Sequence, residues 1–358
     1  MRLAIDCRFI GSSGIGTYIE NIVSYLVNDN IHDDQFVLIG NPSHLLSYRD
    51  KPRCQIVPCL HQSFTLKELL RFPVKAVNQC DAFFTPNFNL PLGIRIPVFS
   101  TIHDVVFFDV DGLCSPTGKL IRRFFIWRAL TVSRHVFTVS QFSCQRIKSL
   151  FHYKKDITII HNGISQQLID YRKKVQKERI VQGDYIVCLG NLKKYKGVKD
   201  LIHAYQEARK KQAINYRLVI IGRFDFRTQD QEVISLLQHQ DHTIQFITDA
   251  DNETVYNYLS GAIALVSPSH YEGFGITPLE AMYLHTPVLI SDIPTHREIY
   301  QGTPARFFKA GDITDLSRQL GQLSPGECDV DEIVANRYSY SITAKKIRET
   351  IRQRLDLC

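Results

Sequence analysis

One pattern recurs along this sequence: a short apolar run, a loop that contains glycine, and an amphipathic helix. At the start of the chain, residues 3–6 are predicted to form a buried strand, glycines follow at 11, 14 and 16, and residues 15–26 carry apolar side chains at spacings of three and four. Further apolar runs follow at 36–39, 98–102 and 136–139. Strands that alternate with helices build a parallel sheet with helices on its faces. The first half of the chain is therefore predicted to be an α/β domain.

A second alternation begins after a polar stretch. Residues 166–184 are rich in Gln, Lys, Arg and Glu and end in Gln182-Gly183-Asp184, a composition suited to a linker. Beyond it, strands are predicted at 185–189, 218–221, 244–247, 263–266 and 288–290, and a helix at 198–208. We expect a first domain at 1–166, a linker at 167–184 and a second domain at 185–335. Ligands of doubly wound sheets bind where the strand order reverses, so a cleft between two facing halves is the expected site.

Length and composition limit the class of protein. A chain of 358 residues exceeds the size at which a single core keeps growing, and its 44% hydrophobic and 22% charged residues are typical of a folded globular protein. The N-terminus lacks the pattern of a signal peptide, and no apolar run approaches the roughly 20 residues of a membrane span. Nine scattered cysteines without a CxxC pair favour a reducing cytoplasm and no metal site. The net charge of +7 favours anionic partners, namely nucleotide phosphates, acidic lipids or nucleic acid.

The first glycine loop is a candidate anion site. Gly11, Gly14 and Gly16 lie between a strand and a helix, where amides and the helix dipole can hold a phosphate. The dinucleotide fingerprint GxGxxG is absent, because Ser13 and Ile19 occupy positions that would need glycine. A glycine-rich turn without a ligand is an equally good interpretation of this loop alone.

The loop at 190–197 carries three lysines, at 193, 194 and 196, between another strand and helix. Ammonium groups near a diphosphate would neutralise the charge that develops on a leaving group. For an arbitrary lysine cluster, a solvated basic turn is the more common explanation.

The segment 270–280, HYEGFGITPLE, is a third loop of this kind. Its glycines let the backbone approach a ligand closely, and Thr277 with Pro278 marks the start of a helix. Thr277 and Glu280 also have the spacing of a capping box, which would give Glu280 a purely structural role. Glu272 has no such alternative, and we expect it to point toward the cleft.

Two further features suggest function. His103 follows the strand at 98–102, where functional residues collect, although a lone histidine in that position is more often structural. The stretch 119–128, KLIRRFFIWR, interleaves cations with aromatic residues and could lie on an anionic membrane surface. Its alternative is the solvated face of an ordinary helix.

These segments together resemble retaining glycosyltransferase family 4, the group 1 glycosyltransferases, including their mannosyltransferases. The likeness covers almost the whole chain, in the order IDCRFIGSSGIGTY, TIHDVVFF, TVSQFS, IIHNGI, LGNLKKYKG, SPSHYEGFGITPLEAM, TPVLISDIP, THREI and RYSYSITAKKI. It implies the GT-B fold, in which two Rossmann-like doubly wound domains face each other across a cleft. We also expect residues 336–358 to form a C-terminal helix that packs back on the N-terminal domain.

The resemblance also assigns roles to residues. Catalytic roles fall on Glu272, His103 and Lys196, of which Glu272 contacts the transferred sugar and His103 lies by the sugar and acceptor. The donor is held by Gly14, Gly16, Asn191, Lys193, Lys196, Phe274, Gly275, Ile276, Thr277 and Glu280, the last of these on the ribose. The resemblance implies no metal and no cofactor, since lysines and helix termini stabilise the leaving nucleotide.

The chain departs from the family pattern at three positions. Asn191 stands where much of the family has Arg, so that either Lys193 supplies the charge or Lys196 holds the diphosphate alone. His285 replaces a glycine suited to the left-handed turn at a helix end, and Ser165 replaces a frequent acidic residue.

The expected function is transfer of a hexosyl group, with mannose from GDP-mannose as the leading case. The acceptor would be a saccharide or lipid-linked saccharide of surface polysaccharide biosynthesis. We expect same-face attack with retention, in the cytoplasm or on the inner face of the membrane, and no nucleic-acid partner. The alternatives are a nucleotide-sugar epimerase or phosphorylase on the same fold, and a non-catalytic nucleotide-sugar-binding partner.

Overall fold

The computed structural model describes residues 1–12, 14–29, 32–60, 71–174, 184–223, 231–238, 241–326 and 328–356. The chain forms two compact units. The first comprises Met1–Phe108, Cys114–Ser165 and Arg337–Cys358, and the second comprises Asp109–Leu113 and Gln166–Asn336. The segment expected to be a linker starts as a helix, Gln166–Lys174, that belongs to the second unit. Its residues 175–183 lie outside the described part of the chain.

The first unit is built on a parallel sheet of seven strands. They are β1 (Arg2–Asp6), β2 (Gln35–Gly40), β3 (Cys54–Pro58), β4 (Ala82–Thr85), β5 (Val98–Thr101), β6 (His135–Thr138) and β7 (Ile157–Ile159). The helices are α1 (Gly14–Asn28), α2 (Val74–Val77), α3 (Val106–Asp109), α4 (Pro116–Val132), α5 (Gln141–Phe151) and the C-terminal α14 (Tyr340–Arg354). The order of the strands is β3-β2-β1-β4-β5-β6-β7, so that it reverses between β1 and β4.

The core of this unit lies on both faces of the sheet, because alternate residues of a strand point to opposite sides. Leu3 and Ile5 of β1 pack with α1 on one face, and Ala4 packs on the other. Helix α14 belongs to the same cluster as α1, through Tyr340, Ala344, Ile347 and Ile351.

The chain crosses itself closely where it enters α14. Ile164 and Ser339 form a parallel bridge, and a Cβ atom at Gly163 would lie 2.3 Å from the backbone nitrogen of Tyr340. A side chain at position 163 would therefore collide with the backbone, which explains the glycine of the sequence IIHNGI.

The second unit repeats this architecture with six strands. They are β8 (Tyr185–Leu189), β9 (Arg217–Ile221), β10 (Ile244–Ile247), β11 (Ala264–Ser267), β12 (Val288–Ser291) and β13 (Arg306–Phe308). The helices are α6 (Gln166–Lys174), α7 (Val198–Lys210), α8 (Gln231–Gln238), α9 (Asn252–Gly261), α10 (Thr277–Tyr283), α11 (Pro294–Tyr300), α12 (Ile313–Leu320) and α13 (Asp331–Arg337). All the pairings are parallel, and the order β10-β9-β8-β11-β12-β13 reverses between β8 and β11.

Both halves thus have the predicted doubly wound α/β architecture. In the second unit, Leu201, Ile202 and Tyr205 of α7 are buried against Ile186 and Cys188 of β8, as their helical spacing predicted. No helix within the described ranges is both long and apolar enough to span a bilayer.

The turn after α10 has the left-handed conformation expected from the family pattern. His285 adopts φ 63°, a region in which a residue other than glycine is uncommon. Its Nδ1 donates to the carbonyl of Cys328 (3.0 Å), and its Nε2 accepts from the guanidinium of Arg172 (2.8 Å). These two hydrogen bonds need an imidazole, which gives a physical reason for histidine here.

Candidate functional site

Two loops meet at the switch point of the second sheet, since β8 and β11 are neighbours and both loops leave carboxyl ends. The amide of His270 donates to the carbonyl of Tyr195 at 2.8 Å. Gly197 has φ 67°, and a Cβ atom there would lie 2.0 Å from the carbonyl oxygen of Pro268. The backbones of the lysine loop and the 268–276 loop are therefore in direct contact, which fixes the side chains that they carry.

An ion pair joins these loops. Lys196 Nζ lies 2.7 Å and 2.9 Å from the two carboxylate oxygens of Glu272, and the hydroxyl of Ser269 donates to Oε1 at 2.7 Å. The hydroxyl of Thr295 in α11 donates to the Glu272 carbonyl at 2.7 Å. Burial raises the pKa of Glu272, but Lys196, the neighbouring His296 and the Ser269 hydrogen bond outweigh it and hold that pKa below its usual value. Glu272 is thus an ionised carboxylate in a largely buried position, with 14% of its side chain exposed.

The backbone at residues 275–277 leads into α10. Gly275 has φ 74°, and its carbonyl accepts a hydrogen bond from the hydroxyl of Tyr300. Within the described ranges, the amides of Gly275, Ile276 and Thr277 donate to no protein acceptor. Phe274 is buried beside them. Three successive free donors can bind the oxygens of an anionic or polyhydroxylated ligand.

The capping box that was the structural alternative for Thr277 and Glu280 does not form. Helix α10 takes Ile276 as its N-cap, in helical conformation and without a side-chain cap, and the Glu280 amide donates to the Ile276 carbonyl at 3.1 Å. A capping box needs an extended N-cap whose side chain bonds the third helical amide, and the backbone here is already helical one residue earlier. The Glu280 carboxylate has no partner among the residues that the structure describes, and burial raises its pKa to about 7.

The lysine loop carries Asn191, Lys193 and Lys196 on its path from β8 to α7. Lys193 is half-buried and precedes the 3₁₀ turn Lys194–Lys196, whereas Lys194 is exposed. The carbonyl of Arg223, just after β9, accepts from the Leu192 amide at 3.2 Å. Arg223 therefore lies at the carboxyl end of a third strand, with its backbone bonded to the lysine loop. Its side chain is 70% exposed. Sequence reasoning missed it, although Gly222-Arg223 directly after an apolar run is the relevant signal.

His296 is the second residue that sequence reasoning left without a role. It is fully buried, and its Nδ1 donates to the carbonyl of Ser291 at 2.9 Å. Its Nε2 has no hydrogen-bond partner within the described part of the chain and would lie 3.0 Å from a Cβ atom at Gly275. Burial lowers the pKa of His296, with a smaller opposing effect of Glu272. The signal in the sequence is the segment THREI, which was recognised only as part of the family pattern.

The first unit carries the candidate residue His103 at the end of a central strand. His103 follows β5, and its Nε2 donates to the carbonyl of Pro86 at 3.0 Å, with the Tyr18 ring edge-on at 4.8 Å between centroids. Burial lowers the pKa of His103 to about 4, so the imidazole is neutral near pH 7 and its Nδ1 keeps a lone pair.

The two glycines of the first loop differ in what they are needed for. A Cβ atom at Gly16 would lie 2.3 Å from the Phe9 carbonyl oxygen, so close packing requires glycine there. A Cβ atom at Gly14 would meet no atom of the described residues within 4 Å. Those residues therefore give Gly14 no steric reason to be glycine.

The structure thus brings the candidates of the second unit, from Asn191 to Glu280, onto adjoining loops at one switch point. Gly14 and Gly16 lie at the switch point of the first sheet, in the loop after β1, and His103 lies two strands along in the same unit. Two doubly wound domains of this kind, one with seven strands and one with six, define the GT-B class of glycosyltransferases.

Comparison with known proteins agrees with that class. Residues 170–338 match the family described as glycosyl transferases group 1, and residues 12–168 match glycosyltransferase family 4. The O-antigen chain mannosyltransferase RfbU of Salmonella typhimurium is 30% identical over 315 residues, which are 83% of this chain and 84% of the relative. The chain therefore belongs to the group 1 glycosyltransferases, glycosyltransferase family 4.

Two further proteins are similar to this chain. The O-antigen chain mannosyltransferase B of Escherichia coli is 25% identical over 223 residues, 60% of this chain and 58% of that protein. Sucrose-phosphate synthase from Thermosynechococcus elongatus superimposes with a TM-score of 0.76 at 17% identity, over 100% of both chains. The latter supports the fold alone.

Proposed function

We propose that this glycosyltransferase moves a hexosyl group, with retention and without a metal, from a nucleotide-sugar to a saccharide or lipid-linked saccharide acceptor. GDP-mannose is the donor we favour, so that mannose is the transferred sugar. The reaction would belong to surface polysaccharide biosynthesis. The observation that carries the proposal is the contact of Lys196 with Glu272 at the switch point of the second sheet. The similarity to two O-antigen chain mannosyltransferases supports the choice of sugar.

Lys196 and the open amides supply the chemistry of the leaving group. When the bond to the sugar breaks, negative charge collects on the diphosphate, and fixed positive groups stabilise it more than they stabilise the intact donor. Lys196, with Lys193 and Asn191 on the same loop, and the amides of Gly275, Ile276 and Thr277 provide such groups. Several fixed donors of this kind do the work that a divalent cation does in other transferases.

Glu272 positions the sugar. An ionised carboxylate accepts two or more hydrogen bonds from adjacent hydroxyls, and the low pKa of Glu272 keeps it ionised. On donor binding, we expect Lys196 to move its charge toward the diphosphate while Glu272 takes the sugar hydroxyls in exchange. The ion pair therefore holds both groups in place before the donor arrives.

The remaining candidates bind the rest of the two substrates. The carboxylate of Glu280, which no described residue contacts by a hydrogen bond or ion pair, binds the ribose hydroxyls, and Phe274 packs beside the sugar. In the first unit, the open position at Gly14, next to the sterically required Gly16, admits a phosphate. The neutral His103 accepts a hydrogen bond from a sugar or acceptor hydroxyl through its Nδ1.

The reaction balances without a further reactant. The bond from the anomeric carbon to the diphosphate oxygen breaks, and a bond from that carbon to the acceptor oxygen forms on the same face. The proton of the acceptor hydroxyl passes to the leaving diphosphate oxygen, so that the products are the glycoside and the nucleoside diphosphate.

A donor panel tests this proposal. Purified protein would be screened by thermal shift against GDP-mannose, GDP-fucose, UDP-glucose, UDP-galactose and dTDP-rhamnose, since a ligand that binds only the folded state raises its stability. Donor hydrolysis and transfer to a lipid-linked saccharide would follow in EDTA, with Glu272→Ala as the control and NMR of the anomeric proton of the product. We expect the largest shift, and turnover with retention, for GDP-mannose.

Four outcomes would contradict the proposal in different ways. Turnover with another donor would show that the enzyme is a transferase of a different sugar. Loss of turnover in EDTA would show that the reaction needs a metal. Release of sugar 1-phosphate that depends on inorganic phosphate would indicate a phosphorylase. Binding without turnover of any donor, on any acceptor offered, would favour a non-catalytic partner.

A further inference from the structure

Helix α4 presents an apolar face to solvent. Leu120, Ile121, Phe124 and Trp127 are 68%, 56%, 54% and 52% exposed. Their spacing of one, four and seven residues places them on one side of the helix. We name these four residues the α4 outer face. Phe124 and Trp127 lie with ring centroids 6.2 Å apart, so the face has an aromatic centre.

The fold does not need this face. The opposite side of α4 supplies Ile126, Ala129 and Leu130, which are 1%, 0% and 2% exposed in the core of the first unit. Of the nine large hydrophobic side chains that are exposed within the described ranges, five lie on α4, the fifth being Val132. A surface helix normally turns charged residues outward, and a contiguous apolar patch of this kind marks an interaction site.

The sequence segment that contains this helix carries charge of one sign. Residues 112–155 contain nine Lys and Arg and no Asp or Glu, whereas the remainder of the chain carries a net charge of −2. Arg123 is exposed, one residue before Phe124, and Arg122 stacks at 4.2 Å on the Phe107 ring. The positive charge of the whole protein is therefore concentrated in the segment that carries the α4 outer face.

Three kinds of partner could cover an apolar face within a basic segment. A second copy of the chain would bring the same positive charge against it, which disfavours symmetric self-association. Nucleic acid would satisfy the charge but leave the leucine, isoleucine and exposed aromatic side chains without an apolar environment. A bilayer with anionic headgroups offers both an apolar boundary and negative charge.

We propose that the α4 outer face docks the first unit onto an anionic bilayer surface. Leu120, Ile121, Phe124 and Trp127 enter the boundary between headgroups and acyl chains, and the surrounding cations lie among the headgroups. Trp and Phe are favoured at that depth, because their rings are large and apolar and the indole N–H still reaches water. This inference is independent of which sugar the enzyme transfers.

Trp127 reports on its own docking, because it is the single tryptophan of the chain. Full-length protein would be titrated with phosphatidylcholine vesicles, and with vesicles that contain about 30% phosphatidylglycerol, while the indole emission is recorded. We expect a blue shift and co-sedimentation with the anionic vesicles only, and at least a tenfold weaker association at about 0.5 M salt. Binding that is equal for both vesicle types, or absent for both, would overturn the proposal.

Matched variants distinguish docking through the α4 outer face from nonspecific adsorption to vesicles. Leu120→Ser with Phe124→Ser keeps Trp127 as the probe and should lower vesicle affinity at least tenfold, and Arg123→Gln should lower it less. The control is Leu46→Ser, which alters another leucine of the same unit that is 58% exposed and should bind as the parent does. Both positions are on the surface, so circular dichroism melting should be unchanged. Self-association would give a different result. The blue shift would then grow with protein concentration in the absence of vesicles, and sedimentation would show a dimer that the double variant abolishes. That result would overturn the proposal and show that a second copy covers the face.

Discussion

Lys196 and Glu272 are 76 positions apart, yet the Nζ atom of the first lies 2.7 Å and 2.9 Å from the two carboxylate oxygens of the second. The contact exists because β8 and β11 are adjacent and each residue lies in the loop that leaves its strand. In our proposal a donor must exchange this ion pair for its own phosphate and hydroxyl groups. The two residues should therefore act as a coupled unit.

We predict that Glu272→Gln and Lys196→Met each lower kcat/KM by about 100- to 1,000-fold, the size expected for one fixed group that stabilises developing charge. The fold-loss of kcat/KM in the double variant should be much smaller than the product of the two single fold-losses, because the effects of substituting residues in direct contact are not additive. Initial rates with GDP-mannose are measured for the parent, the two single variants and the double variant. This double-mutant cycle gives the coupling energy between the two residues. Strictly multiplicative losses would show that the two residues act independently, against the proposed exchange.

A matched control lies on a neighbouring helix of the same unit. Lys199 in α7 contacts Glu232 at 2.6 Å, but both side chains are more than a third exposed. Lys199→Met should leave kcat/KM within about twofold of the parent and stability within about 0.5 kcal/mol, as for exposed ion pairs in general.

The two glycines of the first loop give a separate prediction. Gly16→Ala would place a Cβ atom 2.3 Å from the Phe9 carbonyl oxygen and should destabilise the protein by about 1–3 kcal/mol. The added Cβ of Gly14→Ala meets no atom of the described residues within 4 Å. This variant should leave the free energy of unfolding unchanged or slightly raised, because alanine favours helix formation over glycine. If the loop holds donor phosphate, Gly14→Ala should nevertheless weaken donor binding, by about tenfold for one obstructed contact. Urea melts and donor titration separate these effects, and unaltered donor affinity in Gly14→Ala would remove this loop from the donor site.

The sequence predicted the architecture well, for an identifiable reason. The strand Tyr185–Leu189 is a short apolar run between polar loops, and buried parallel strands have that composition. The predicted left-handed turn at His285 is confirmed, because the end of a helix imposes its backbone conformation on whatever residue occupies it.

The contacts between residues of the site were harder to predict from the sequence. The alternative of a capping box at Thr277 and Glu280 is excluded because the helical conformation already begins at Ile276, and sequence spacing does not show the backbone angles of a preceding residue. The ion pair of Lys196 with Glu272 depends on which strands are neighbours, and His296 becomes noteworthy only when its buried Nε2 is seen close to Gly275. Such relations arise from tertiary packing rather than from sequence periodicity.

Helix α14 should stabilise the first unit through a buried carboxylate. Asp34 is fully buried and lies 3.2 Å from Arg348, 3.0 Å from Arg352 and 3.2 Å from the terminal amine of Met1. Asp34→Asn would leave the buried guanidinium of Arg348 with less compensation, so we expect a loss of about 3–5 kcal/mol in the free energy of unfolding. Urea denaturation measures it. On the same helix, Lys345 and Glu349 form an exposed pair at 3.8 Å, and Glu349→Gln should change stability by less than about 1 kcal/mol.

Glu280 predicts a pH dependence of stability whose sign follows from its environment. Burial raises its pKa in the folded protein to about 7, above the ordinary value near 4.5 in the unfolded chain. Between these values the folded state holds a proton that the unfolded state has lost, so this residue makes the protein less stable as pH rises from about 4.5 to 7. The contribution should reach roughly 3 kcal/mol above pH 7, given 1.36 kcal/mol per pKa unit. Glu280→Gln should therefore be more stable than the parent at pH 8 and about equal to it at pH 4.5, as measured by urea melts at both values.

The same titration tests whether Glu280 binds the ribose. A carboxylate accepts hydrogen bonds from two neighbouring hydroxyls only when it is ionised, whereas a nucleotide-sugar diphosphate keeps its charge throughout this pH range. Donor affinity should therefore rise about tenfold between pH 6 and pH 8, since ionisation of a group with a pKa near 7 changes its charged fraction by that factor. Calorimetric titration at several pH values would show this rise in the parent and a flat profile in Glu280→Gln. If the rise persisted in Glu280→Gln, another group would be titrating, and Glu280 would be a buried acid with no part in binding the donor.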